Sequence, residues 1–295
     1  MSERVVITGA GVVSPMAVGF EDWSAAVGAG SSARQENGAF RIAGFNPAPL
    51  LESRKGYLDP HSALFLGATA LALRDAGLGA EGVSPRHALA GLTAGFMAGS
   101  AWGGIGTLDL FFKDVVAKGP RFGKPILFPH AYLNTAAAMA AIEWCLAGPH
   151  EVYAGGALAS AHALLAAIDT LAAGEADLMV AGGCEAVSTA MLAAYREAAG
   201  DSQSIPGEGA AVFVLETEAS ARARDARVRA AVKRTALSGD ASLPESDSPA
   251  VSAPVSLQGD IVGADFAFAL ALALTRLPAE ARTVTSNGSA AVALD

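Results

Sequence analysis

The chain has 295 residues, a net charge of −9 and a pI near 5.0, with Lys and Arg scattered rather than clustered. A surface of that sign does not neutralise phosphates, which excludes nucleic acid as a main partner. Hydrophobic residues reach 52% against 17% charged, and mean hydropathy is +0.37. Either apolar surface is kept for a partner, or the high Ala content inflates the figure.

Taken in chain order, "RVVITGAGVVSP" predicts a buried strand ended by a Gly-rich turn. Gly9-Ala10-Gly11 lacks the third glycine and the following helix of a dinucleotide fingerprint, so the glycines are read as turn formers. "FEDWSAAVGAG" predicts a helix stopped by glycine, and residues 61–78 predict an amphipathic helix with Gly77 as its stop. "ALAGLTAGFMAGSAWGGIGTLDLFFKDV" is a strand, a Gly-rich loop without Walker spacing or its lysine, and a helix start. Residues 131–147 predict a helix closed by Gly148-Pro149.

Residues 151–186, "EVYAGGALASAHALLAAIDTLAAGEADLMVAGGCEA", read as strand, tight turn, helix and second buried strand. The turn Gly155-Gly156-Ala157 sits where an α/β enzyme often places a nucleophile, yet an alanine methyl has no reactive atom. A Gly turn at 207–209, a strand, a charged helix and another strand follow. The Ser-, Pro- and Asp-rich stretch at about 239–258 reads as a linker. A helix at 263–276 and a last strand near "TSNGSAAVALD" complete an alternation that argues for α/β layers.

Cys145 and Cys184 form neither a disulfide framework nor a metal spacing. The run "FAFALALALTRL" is too short to span a membrane, and the N-terminus enters a strand without a signal-peptide pattern. The expectation is a cytoplasmic protein with no metal.

The order of these motifs resembles the β-ketoacyl-acyl-carrier-protein synthases of the thiolase fold. "RVVITGAGVVSP", "LDPHSALFLGATALALRDAGL", "NTAAAMAAIEWCLAGP", "GEADLMVAGGCEA" and "PGEGAAVFVLE" follow one another as in that family across residues 4–216, and "GDIVGADFAFALALAL" and "SNGSAAVAL" resume the likeness. The resemblance implies a thiolase-like αβαβα layered sandwich. It would comprise a ketosynthase-like N-terminal half at 1–218 and a shortened C-terminal half at 219–295.

The departures concern chemistry. The resemblance places the family's acyl-bearing cysteine at Ala157, its second catalytic histidine at Asp260 and its lysine at Val255. The block that carries the first histidine has no counterpart between Asp240 and Gln258. Thioester exchange needs a thiolate, and a carboxylate at Asp260 would repel a developing enolate. Ser160 and His162 lie just beyond the turn, but two residues apart on a helix their side chains diverge, so a hydrolytic pair is disfavoured. Cys184 is read as a buried, inert thiol.

In the resembling family the loop before the 131–147 helix approaches the partner's acyl tunnel, and the strand before the nucleophile turn pairs across the dimer. That implies partner- or tunnel-facing roles for Phe128, His130, Tyr132, Leu133 and Asn134, unless the loop packs on its own chain. It also implies interface roles for Glu151, Val152, Tyr153 and Ala154. The expected function is a non-catalytic, chain-length-factor-like subunit. It would pair with an active β-ketoacyl synthase as a heterodimer and shape its acyl tunnel in type II polyketide, polyene or fatty-acid-like assembly. No cofactor is expected, since phosphopantetheine arrives on the acyl carrier protein. The alternatives are a decarboxylase or hydrolase of altered chemistry, or a homodimeric acyl-binding protein.

Overall fold

The computed structural model describes residues 4–79, 84–199, 204–237, 255–275, 282–286 and 290–294, with backbone alone for 198–199, 233–237, 282–286 and 290–294. The strands are β1 (Val5–Val13), β2 (Gln35–Glu36), β3 (Ala39–Phe40), β4 (Ala94–Gly99), β5 (His150–Tyr153), β6 (Leu178–Glu185), β7 (Gly209–Thr217), β8 (Ala230–Leu237), β9 (Arg282–Ser286) and β10 (Ala290–Leu294). The α-helices are α1 (Phe20–Gly28), α2 (Pro60–Asp75), α3 (Pro85–Ala88), α4 (Ile105–Lys118), α5 (Thr135–Trp144), α6 (Ala159–Ala172), α7 (Thr189–Ala199), α8 (Glu218–Ala223), α9 (Val255–Gln258) and α10 (Asp265–Thr275).

One mixed sheet runs β5-β4-β6-β7-β1-β8-β10-β9, and β2 pairs only with β3. Strands β4, β5 and β6 are parallel; β7 is antiparallel to both of its neighbours, β6 and β1. β1, β4, β6 and β7 are buried along their whole length, which is why they read as continuous apolar runs rather than alternating ones. Val13, Phe96, Val180, Val212 and Val214 pack against α2 and α5 on one face. Ile7, Val12, Met97, Met179 and Phe213 pack against α1, α6 and α10 on the other. Beyond β1 the strands fold over, so that α6 also meets β8 and β10, and α10 meets β9. The central helices are therefore covered on both sides by strands. This is the mixed, layered α/β fold implied by the thiolase-like resemblance. The sheet crosses position 218/219 without interruption, because β8 pairs directly with β1.

Three local expectations are corrected. The first is the Gly-rich turn: Gly9 and Gly11 lie inside β1, not at its end. A Cβ at either would strike the backbone carbonyl of Ala72 or Ala68, so the glycines let α2 lie directly on the strand. Asp75 at the end of α2 then accepts a hydrogen bond from the Ala10 N–H at 2.7 Å.

The second is α2, which is not amphipathic. Almost every residue from His61 to Leu73 is buried, because Ile42, Phe45, Leu50, Leu51 and Leu58 of the preceding segment cover its outer side. Asp59 caps its start, accepting from the Ser62 N–H at 3.0 Å, and Gly77 at φ +75° ends it.

The third is the linker. Positions 239–254 lie outside the described residues, but 255–258 form α9. There Gln258 is fully buried and accepts from Trp23 Nε1 at 2.9 Å.

Candidate functional site

Four chain segments meet at the C-terminal ends of the parallel strands, the usual place for a site in an open α/β sheet. They are the loop 100–104 after β4, the turn 155–158 after β5, residues 186–188 after β6 and residues 259–264 before α10. Small residues make the close approach possible. Any Cβ at Gly99 would meet Ala159 and Ser160, one at Gly183 would meet Ser160 and Ala264, and one at Gly263 would meet Glu185 and Ala101. The 3-10 turn 156–158 at the head of α6 packs against the 3-10 turn 262–264.

Glu185, at the end of β6, is the knot of this cluster. It is wholly buried and accepts hydrogen bonds from the Ala101 N–H, the Trp102 N–H at 3.2 Å and Ser100 Oγ at 3.2 Å, as well as from the Gly263 N–H. Burial outweighs these donors and pushes its carboxyl up to about 8. Glu208, at the start of β7, ties in the segment around β3 in the same way. It accepts from the Ile42 N–H at 2.7 Å and the Val187 N–H at 3.0 Å, and burial raises its pKa too.

Asp260 accepts from Tyr195 Oη at 2.7 Å, from its own loop's Val262 N–H at 3.0 Å and from Ser204 Oγ at 3.4 Å. Asp265 is pushed up to about 8, first by burial and then by the negative charge of Asp260. Tyr195 is raised to about 12 by burial and by its bond to Asp260. Val262 holds φ +32°, a conformation a β-branched residue rarely adopts, so the loop carries backbone strain at this point. Nothing in the sequence marked Tyr195 or Glu185 in advance. For Glu185 the available signal was a carboxylate at the end of a strongly apolar strand.

Ala157 sits in the 156–158 turn, half-buried. Among the four segments there is neither Cys nor His. Ser160 points away from the turn, fully buried, and accepts from the Ala267 N–H of α10 at 3.3 Å. His162 instead faces Tyr153 edge-on at 6.0 Å, so the two do not form a hydrolytic pair. Cys184 is buried with its thiol pushed well up, chiefly by burial, while Cys145 caps α5 at the opposite end of β5. Val255 begins α9 and accepts from the Gly259 N–H at 2.8 Å. Among the described residues no group of His, Cys, Asp and Glu could hold a metal ion.

The loop residues expected to face a partner divide. Phe128 and Tyr132 project outward in mutual edge contact at 5.2 Å. His130 turns into its own chain, edge-on to Tyr57 at 4.8 Å and 3.5 Å from Asp59, and Leu133 lies against Gly103. Asn134 occupies the cap position of α5 without a side-chain capping bond. His130 and Leu133 thus make contacts within their own chain, the alternative the sequence left open for this loop. Of the residues expected on the interface strand, Glu151, Val152 and Tyr153 lie in β5, while Ala154 falls in the following loop.

A larger apolar surface was missed in the sequence. α4 buries only Thr107, while Leu110, Phe112 and Val116 are exposed, Val116 by 82%. Phe122, Ile126, Phe128 and Tyr132 extend the exposed apolar surface through two 3-10 turns, with Phe111 edge-on to Phe112 at 5.4 Å and tilted against Phe128 at 5.5 Å. "IGTLDLFFKDVV" carries apolar residues around more of the helix than a core-facing stripe requires, and that was the signal.

The family model described as β-ketoacyl synthase, N-terminal domain, matches residues 29–221. The chain belongs to that family. A 3-oxoacyl-[acyl-carrier-protein] synthase 2 of Rhizobium meliloti (strain 1021) is 32% identical over 278 residues, covering 81% of this chain and 65% of that protein. Another from Coxiella burnetii is 29% identical over 270 residues, covering 81% and 64%. This β-ketoacyl synthase relative thus spans just under two thirds of the length of the curated relatives it matches. Among solved structures, the ishigamide ketosynthase/chain length factor superposes at a TM-score of 0.78 with 19% identity, covering 100% of this chain and 99% of that one. A type II PKS ketosynthase in complex with its acyl-carrier protein gives 0.76 at 18% identity, covering 99% and 98%. At these identities the two structures establish the β-ketoacyl synthase fold alone. No described helix is long and apolar enough to cross a membrane.

Proposed function

We propose that this chain is a chain-length-factor-like subunit: it pairs with an active β-ketoacyl synthase, stabilises it and shapes its acyl tunnel, without forming an acyl-enzyme itself. The observation that carries the reading is the turn 155–158, a tightly built helix head whose central side chain is the methyl of Ala157. Beside it, the carboxyl of Asp260 is held by Tyr195 where the family resemblance implies a histidine. A thioester needs a sulfur nucleophile, and malonyl decarboxylation needs donors aimed at the enolate. The exposed apolar surface of α4, Phe122, Phe128 and Tyr132, together with the free edge of β5, supports the pairing half of the proposal. The partner would bring the cysteine and receive acyl and malonyl groups from an acyl carrier protein, in type II polyketide, polyene or fatty-acid-like assembly.

The test is co-expression with a cysteine-bearing β-ketoacyl synthase of the same organism, followed by native mass and a malonyl-dependent condensation assay. A one-to-one complex whose activity vanishes without this chain supports the proposal. Condensation, decarboxylation or thioester hydrolysis by the isolated chain would replace it with an enzymatic reading. A self-sufficient homodimer that ignores the synthase would replace it with an acyl-binding one.

A further inference from the structure

Between the exposed rings of Phe128 and Tyr132, the loop 126–134 turns one titratable side chain into its own chain, that of His130. The backbone there is closely seated. A Cβ at Gly104 would strike the His130 carbonyl, and Thr135 Oγ1 donates to Pro129 O at 2.6 Å. His130 Nδ1 lies 3.5 Å from Asp59 Oδ2, and both atoms are buried without a hydrogen-bond partner.

Asp59 is a buried carboxylate whose other oxygen caps α2 through the Ser62 N–H. Among the described residues no Lys or Arg pairs with it. Two further titratable groups act on it. Burial holds His61 of α2 below the ordinary imidazole range and pushes the Cys184 thiol well up. Tyr57 meets the His130 ring edge-on at 4.8 Å. α4 offers this loop Phe111, while its own Lys113 and Lys118 are held by Asp109 and Asp114, and Asp114 also holds Lys124. His130 is thus the one cation placed to meet this carboxylate, and at 14% exposure its ring can still exchange protons with solvent.

A neutral imidazole carries its proton on one nitrogen, a charged one on both. Protonation therefore guarantees a donor at Nδ1, facing Asp59, and adds charge to the bond. Two buried polar atoms that were unsatisfied become paired, and the gain falls on the loop that carries His130.

We propose that His130 is a positioning residue for the outward loop: as a cation it tethers residues 126–134 to Asp59 and fixes the pose of Phe128 and Tyr132, so pairing with the synthase tightens as pH falls. A loop already held in place loses less freedom on binding. The effect on pairing rests on the function proposed above, whereas the tether itself is measurable in the isolated chain.

The experiment uses the full-length wild type, H130N and D59N. Asparagine also caps helices, so D59N removes the charge and keeps the start of α2, and circular dichroism confirms that each variant folds. Hydrogen exchange of peptides covering 126–134, corrected for the intrinsic effect of pH, is read at pH 6 and pH 8. The Kd for the synthase of the co-expression test is read at the same two values. In the wild type, exchange should be about fivefold slower and Kd about fivefold lower at pH 6. The synthase's own titration is common to all three proteins, and relative to it both variants should be flat. Equal wild-type exchange at the two pH values, or the wild-type ratio kept in H130N, overturns the tether whatever the synthase does. Because the wild-type ratio alone can fail, a misfolded variant does not shield the proposal. A normal exchange ratio with Kd ratios identical in all three proteins overturns the coupling to pairing and leaves the pairing itself standing. Wild type that ignores the synthase at both pH values overturns the pairing reading instead.

Discussion

The loop cluster around Glu185 and the outer surface of α4 are built by opposite rules. In the first, glycines at 99, 183 and 263 leave no room for a Cβ, and buried carboxyls are satisfied by backbone N–H groups from separate segments. In the second, large apolar side chains such as Phe112, Val116 and Phe122 stand in solvent. The first fixes its segments to within an atom's width. The second leaves large apolar side chains open among the described residues, which is the contrast the proposed pairing would explain.

That contrast can be broken at several points. The largest effect on stability is expected from Gly263→Ala, whose Cβ would drive into Glu185 and the Ala101 N–H. The cost should be about 2–3 kcal/mol in denaturant melts, and a neutral result would show that the cluster is loose. On the open surface, Phe112→Ser with Phe128→Ser removes two half-exposed rings and their contacts to Phe111 and Tyr132, and should cost the isolated chain about 1–2 kcal/mol while leaving it folded. The same pair should weaken the synthase complex by about a hundredfold, and equal binding would move the interface elsewhere.

The pH profile sharpens the interior side. Glu185 and Asp265 titrate near 8 when folded, above their unfolded values near 4. Between those limits the folded chain binds more protons than the unfolded one. Stability conferred by these groups is therefore full below about pH 4 and is lost as pH rises through about 8, with a slope of up to about 1.4 kcal/mol per unit for each group. Glu143 and Asp114 act in the opposite sense, their lowered pKa values removing stability as acid protonates them. Melting temperature should accordingly decline from pH 5 to pH 9, and Glu185→Gln should flatten that decline. An unchanged slope would remove Glu185 as its source.

Smaller effects test the site itself. Tyr195→Phe deletes the bond to Asp260 and should cost about 1 kcal/mol by thermal unfolding. Ala157→Cys should change stability by less than about 0.5 kcal/mol and yield no condensation by the isolated chain. Activity from that single change would show that the site needs only its thiol.

Much of the architecture was readable before any coordinates. Short apolar runs such as "LMVAGG" and "AAVFVL", bounded by turn signals, fit strands covered on both faces, and their alternation with Ala-rich helices argues for layers. The glycines of β1 misled because Gly9 and Gly11 have the local chemistry of a turn, while the reason for them is the backbone of α2, some sixty residues away. α9 was hidden by its Ser- and Pro-rich surroundings, since only the Trp23 contact shows that Gln258 is inside. Within the site, the blank at Ala157 was visible in the sequence; the meeting of Glu185 with Gly263 and of Tyr195 with Asp260 was not.

By itself, then, the sequence determined the layered α/β class and the family likeness, because periodicity and residue chemistry are local properties. Only the tertiary structure decided which glycines serve close packing, that His130 turns inward while Phe128 and Tyr132 turn out, and that α4 stands uncovered. Burial, carboxyl pKa shifts and exposed surface depend on which distant segments arrive at the same place, and no local pattern encodes that arrival.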